Sequence, residues 1–97
     1  MLIDLDSLEI HHNPQAERFE IRLGEHLAVL EYHLDGGDLF FTHTGVPPAL
    51  EGQGIGGRLA QAGLEYAKEK AYRVVPLCYF IDAYIRRHPE YQALVKK

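Results

Sequence analysis

Glu51-Gly52-Gln53-Gly54-Ile55-Gly56-Gly57-Arg58, residues 51–58, stands at the point where the hydrophobic period of this chain changes. Before it, Phe19, Ile21 and Leu23 alternate with Glu20 and Arg22, the two-residue period of a strand with one wet face. After it, Ile55, Leu59, Ala62, Gly63, Tyr66 and Ala67 recur at helical spacing as far as Lys70. The small residues Ala60, Gly63 and Ala67 let that helix lie close on a sheet.

Working outward, Gly24-Glu25 turns the chain, and residues 26–34 place Ala28, Leu30, Tyr32 and Leu34 on one face of a second strand. Asp35-Gly36-Gly37-Asp38 is a two-glycine hairpin signal, which makes residues 39–46 the return strand. A further strand near residues 10–12 is ended by the turn chemistry of Asn13-Pro14. Past the helix, residues 73–78 are short, β-branched and apolar, and read as a buried strand despite Pro76. A second helix is expected from Tyr79 to just before His88-Pro89, since the residue preceding a proline is pushed out of helical geometry. Residues 90–95 add a further turn. A strand, a helix and another strand in that order imply a right-handed crossover and a parallel pair. The expected class is therefore α+β: an antiparallel β-meander, a β-α-β crossover and a C-terminal helix, in one domain spanning residues 1–97.

Composition narrows the function classes. An apolar fraction of 46% and a charged fraction of 25% are those of a globular protein. With a formal charge of −4 and no cluster of lysine or arginine, the chain lacks the dense basic stripe that nucleic-acid phosphates require. No segment approaches the roughly 20 apolar residues that span a bilayer, and the first ten residues lack the pattern of a signal peptide. The lone cysteine, Cys78, cannot form an internal disulfide, and a cytoplasmic location is expected.

The glycines of residues 52–57 lie between a strand end and a helix start, where backbone N–H groups have no helical partner. Without a Cβ in the way a ligand approaches the backbone closely, and the helix dipole adds partial positive charge, so the loop suits a pyrophosphate. Arg58 adds a full charge. A plain turn would spend the entropy of these glycines on nothing. Gly52, Gly54 and Gly57 also fit the G-x-G-x-x-G spacing of a dinucleotide fold, but that fold needs parallel strands around the loop and an acidic residue about 20 positions on. Leu77 and Cys78 stand there instead. A P-loop is excluded because Arg58 and Leu59 replace its lysine and its magnesium-binding hydroxyl.

Val46-Pro47-Pro48, followed by Gly52-Gln53-Gly54-Ile55-Gly56 and a helix, resembles the acetyl-CoA motif Q/R-x-x-G-x-G/A of the GNAT superfamily of N-acetyltransferases. Residues 73–94, with Pro76-Leu77-Cys78 and Tyr84-Ile85-Arg86-Arg87-His88-Pro89-Glu90-Tyr91, are similar to very short stand-alone proteins of that superfamily. The resemblance covers residues 19–95 and implies a minimal GNAT-like fold. It likewise implies acetyl-CoA as the co-substrate and an amine as the acceptor. Two departures stand out. Glu51 occupies the motif's first position, where its carboxylate opposes a pyrophosphate. The helices that longer members place between their first strands, shaping the acceptor pocket, are also absent.

The resemblance assigns the cofactor to Val46, whose backbone meets the pantetheine, and to Gly52, Gln53, Gly54, Ile55, Gly56, Gly57 and Arg58. It implies direct attack of the amine on the thioester, with Tyr84 at the position of the family's tyrosine acid. Tyrosine on an amphipathic helix is also a common core residue. Cys78, expected at the end of a strand facing the thioester, opens an acetyl-cysteine route, although an unpaired cysteine also serves as a small buried hydrophobe. His43 is the candidate base, because imidazole titrates near neutral pH. Gly45 stands where related short proteins often carry an acidic residue. The remaining histidines, His11, His12, His26, His33 and His88, form no zinc spacing, and no metal is expected. Arg86-Arg87 reads as a solvated helix end. A CoA-binding or regulatory module without turnover is the alternative to an enzyme, and an interaction protein a third. An exposed edge strand leaves monomer and homodimer both open.

Overall fold

Alternation of apolar and polar residues builds four antiparallel strands in sequence: β1 (His11–Asn13), β2 (Arg18–Leu23), β3 (His26–Asp35) and β4 (Asp38–Gly45). The computed structural model describes residues 4–97. In it, β5 (Arg73–Pro76) joins β4 in parallel, giving a five-stranded sheet of order β1-β2-β3-β4-β5. Helix α1 (Ile55–Lys70) makes the crossover, and α2 (Tyr79–Arg87) follows β5, with a 3-10 segment at Pro89–Leu94. The architecture is the α+β meander and crossover expected from the sequence pattern.

One face of the sheet carries the core. Phe19, Ile21, Ala28, Leu30, Tyr32, Leu39 and Phe41 are buried beneath α1, whose own buried stripe is Ile55, Leu59, Ala60, Gly63, Leu64 and Ala67. Contact is closest at Gly63, where an added Cβ would lie 2.7 Å from Leu30 Cδ2 and 2.9 Å from Phe41 Cε1. The helix closes with Ala71 in the left-handed region at φ 58°, its N–H donating to Lys68 O, while Tyr72 N–H reaches back to Ala67 O at 2.9 Å. These paired bonds satisfy the last carbonyls, and Lys68 and Lys70 lie where the helix dipole favours cations.

Two irregularities shape the end of the sheet nearest α2. Tyr32 pairs with Phe41 but Glu31 pairs with His43, so Thr42 is an extra residue in β4. Such a bulge bends its strand and breaks the inward–outward alternation. Leu39 and Phe41 accordingly face the core, whereas Thr42 and His43 are both exposed. The second irregularity is that β5 stops at Pro76 and not at Cys78 as its apolar character suggested. Pro76 has no N–H to continue the ladder, and Leu77 N–H turns back onto Val75 O at 3.0 Å. Cys78 still donates to Phe41 O at 2.9 Å, and then caps α2. Past Phe41, β4 runs on with no strand among the described residues beside it on the β5 side.

The outer edge of β5 is covered by the chain's own C-terminal residues. Val95 bridges Val74, Lys96 N–H donates to Val74 O at 2.8 Å, and Lys96 Nζ lies 2.6 Å from Asp38 Oδ2. Arg73 Nε approaches the other carboxylate oxygen to 3.0 Å. The Lys96 hydrogen bond, followed by the charge of Arg73, holds Asp38 below the usual carboxylate range. Among the described residues, no helix is long and apolar enough to cross a membrane.

Because Gly63 is where helix and sheet nearly touch, Gly63→Val is expected to destabilise the fold by about 1–3 kcal/mol through overpacking. Urea denaturation of the two proteins checks this, and an unchanged midpoint would refute the close approach.

Candidate functional site

The segment between β4 and α1 begins with Pro47, whose carbonyl accepts Leu50 N–H at 2.8 Å in a 3-10 turn over Pro48–Leu50. The chain then needs backbone angles that only glycine adopts without strain: Gly52 has φ 78° and Gly54, the N-cap of α1, has φ 83°. No side chain caps this helix end. The first N–H to close a helical ring is that of Arg58, onto Gly54 O at 3.2 Å. Among the described residues, the amides of Gly52, Gln53, Gly54, Ile55, Gly56 and Gly57 have no acceptor. With no acidic residue in the first turn of α1, the positive end of the helix dipole is unopposed there.

These amides border a cleft of about 530 Å³. Residues 54–57 form one wall, and Thr44, Gly45 and Val46 the other. Leu50, Glu51 and Gly52 line it from the connecting turn, and Phe80 from the first turn of α2. Leu50 and Ile55 belong to the buried core, so the inner surface is fixed by packing. The cleft opens where β4 has lost its β5 partner, leaving its backbone without a ladder on that side.

The residues singled out from the sequence fall into three groups. Val46, Gly52, Gly54, Ile55, Gly56 and Gly57 are brought together around the cleft. Gln53 and Arg58 are adjacent, but their side chains are turned elsewhere: Gln53 Nε2 toward Ala49 O at 3.5 Å, Arg58 Nε to Leu5 O at 3.2 Å and Arg58 Nη1 to Gln61 Oε1 at 2.6 Å. The three candidates for proton transfer and nucleophilic chemistry are not among the residues that line the cleft and do not form one cluster. Cys78 shares a hydrogen bond of 3.3 Å with the hydroxyl of Thr44, a cleft residue. Tyr84 is part of the core, lies beneath Gly57, and stacks on the His88 ring at 3.9 Å. Burial, then the charge of Glu90, raises its pKa above the ordinary tyrosine value. His43 is exposed, with its Nε2 only 3.1 Å from where a Cβ on Gly45 would stand.

Sequence reasoning missed Thr44, Leu50 and Phe80. The bulge at Thr42, which nothing in the local pattern announced, turns Thr44 toward Cys78. Phe80 read as one more apolar residue of α2, yet its Cζ lies 2.8 Å from the position of a Cβ on Gly56. The spacing of a glycine and an aromatic on different helices carries no local signal. Glu51, noted for its charge, is exposed at the cleft.

Over residues 18–94 the chain matches the family model described as GCN5-related N-acetyl-transferase. It is similar to Protein NATD1 of Mus musculus, 34% identical over 85 residues that cover 84% of this chain and 77% of the relative. Protein NATD1 of Xenopus tropicalis is 33% identical over 86 residues, covering 86% and 79%. That of Homo sapiens is 33% identical over 85 residues, covering 84% and 75%. Among solved structures, the chain is similar to the NMR solution structure of a GCN5-like protein from Staphylococcus aureus. The two share 30% identity and a TM-score of 0.74, over 92% of this chain and 88% of that one.

Amides without acceptors exchange with solvent without any opening of structure. In the ligand-free protein the amides of Gly52, Gln53, Gly54 and Gly57 should exchange orders of magnitude faster than those of Leu59 and Leu64, by hydrogen–deuterium exchange and NMR. Equal protection across this boundary would show that the loop amides are already satisfied.

Proposed function

Because this chain belongs to the GCN5-related N-acetyltransferase family, we propose that it binds acetyl-CoA at the head of α1 and transfers the acetyl group to an amine. The observation that carries this reading is the row of unpaired amides over residues 52–57, beside a cleft that continues along the unpartnered side of β4. Anions are favoured at such a helix start by the N–H donors and by the dipole together. The pyrophosphate of the cofactor lies on these amides, and Arg58 supplements them by exchanging the Leu5 carbonyl for a phosphate oxygen. The pantetheine runs past Val46, whose backbone provides hydrogen bonds, and brings the thioester toward Thr44 and Cys78.

In the transfer, the amine nitrogen attacks the carbonyl carbon, the C–N bond forms and the C–S bond breaks. The amine gives up a proton and the departing thiolate gains one, so a base and an acid assist. His43 serves as base, directly or through water, from the exposed side of β4. Tyr84 serves as acid, since burial keeps its hydroxyl protonated. The competing route uses the Cys78 thiolate as nucleophile: acetyl-cysteine forms as CoA leaves, and the amine then displaces the cysteine. The activity is assigned to the cytoplasm, where Cys78 stays reduced.

Two experiments test this reading. A carboxylate at Gly57 suits the first turn of α1 electrostatically and has room, the nearest neighbour being Tyr84 Cε2 at 3.8 Å from the new Cβ. Gly57→Asp should therefore keep its melting temperature while losing acetyl-CoA affinity at least about tenfold through charge repulsion, as measured by isothermal titration. Titration of the parent protein with no heat of binding would end the assignment.

For turnover, thiol release is followed over a panel of amines. Direct transfer predicts that Tyr84→Phe and His43→Gln each lower kcat by roughly 10²-fold or more, with Cys78→Ala retaining activity. The reverse pattern marks the acetyl-cysteine route, and tight binding without thiol release from any amine identifies a CoA-binding module.

A further inference from the structure

Phe80 is the largest side chain lining the cleft and is only half-buried, unlike Leu50 and Ile55, which are locked into the core. It lies two residues beyond Cys78 in the first turn of α2, and the tip of its ring rests on Gly56, so closely that an added Cβ would sit 2.8 Å from Cζ and 3.3 Å from both Cε atoms. A glycine at position 56 is thus what seats the ring against the first turn of α1.

The other lining side chains are smaller, and Leu50 and Ile55 are fixed in the core. On one side is the backbone of β4 through Thr44, Gly45 and Val46. Ahead, the gap between β4 and β5 is shut by the Cys78–Phe41 backbone hydrogen bond of 2.9 Å, and the Thr44–Cys78 contact of 3.3 Å narrows it further. The bulkiest group on the remaining sides is the Phe80 ring. From this we infer that Phe80 is the specificity-determining residue for the acyl donor, limiting the group carried on CoA to a short one such as acetyl or propionyl.

The inference rests on the donor reading given above and adds to it the size of the acyl group. A longer chain extending past the thioester meets closed backbone in one direction and the ring in the other, and among the lining side chains the ring is the largest that is not locked into the core. Hydrophobic sites that accept or reject a few methylenes discriminate by roughly 10–200-fold, which sets the scale of the effect.

The test is isothermal titration of the full chain with CoA, acetyl-CoA, butyryl-CoA and hexanoyl-CoA, comparing the parent with Phe80→Ala and Phe80→Leu. Each acyl-CoA affinity is expressed relative to that protein's own affinity for CoA. The parent is expected to disfavour hexanoyl-CoA against acetyl-CoA by at least about tenfold, and Phe80→Ala to abolish that difference, with Phe80→Leu intermediate. Should Phe80→Ala melt prematurely, Phe80→Leu carries the comparison, with partial relief of the discrimination as the expected result. Binding with the same acyl preference in parent and variants overturns the role of Phe80 and leaves the donor reading intact. Absence of binding to every CoA species by the parent overturns both.

Discussion

A parallel strand pair that separates is the constraint on which the rest of this molecule depends. β4 and β5 are hydrogen-bonded from Asp38 and Arg73 as far as Phe41 and Pro76, and there the ladder stops. The bulge at Thr42 bends β4, and Pro76, which has no N–H, ends β5 at the same level. Unpaired backbone is costly when buried, so a parting of strands persists only where solvent or a ligand meets the freed groups. The cleft at the head of α1 occupies this parting.

The glycine loop adds donors to the same opening. Gly52 and Gly54 take left-handed angles, the chain enters α1 without a side-chain cap, and the amides over residues 52–57 are left without acceptors among the described residues. A serine or aspartate cap would have stabilised α1 by about 1 kcal/mol at the expense of these donors. The packing of α1 on the sheet at Gly63, together with its closing turn at Ala71, holds the helix without that contribution. At the opposite edge, the C-terminal residues cover β5 and fasten it through Lys96 to Asp38. β5 is in this way held from its far side.

Much of the fold was legible in the sequence for a simple reason. The two-residue period of β2 and β3, the glycine hairpin at Gly36-Gly37 and the helical spacing from Ile55 to Lys70 are local signals, and each element formed where its pattern lay. The loop was equally legible, since four glycines within six residues have few structural uses. Arg58 illustrates where such reading stops. Its position beside the loop was evident, but its engagement with Leu5 O and Gln61 depends on how a distant N-terminal segment packs.

Sequence alone determined the α+β class, the order of the elements, the position of the glycine loop and the family resemblance, because periodicity and loop composition are written within short windows of chain. Only the tertiary structure decided that Thr42 is a bulge, that β5 ends at Pro76, that Thr44 meets Cys78, and that Phe80 rests on Gly56. Those facts pair residues 24 and 34 positions apart, or set one strand's register against another's, and a contact of that kind exists only once helix and sheet are packed together.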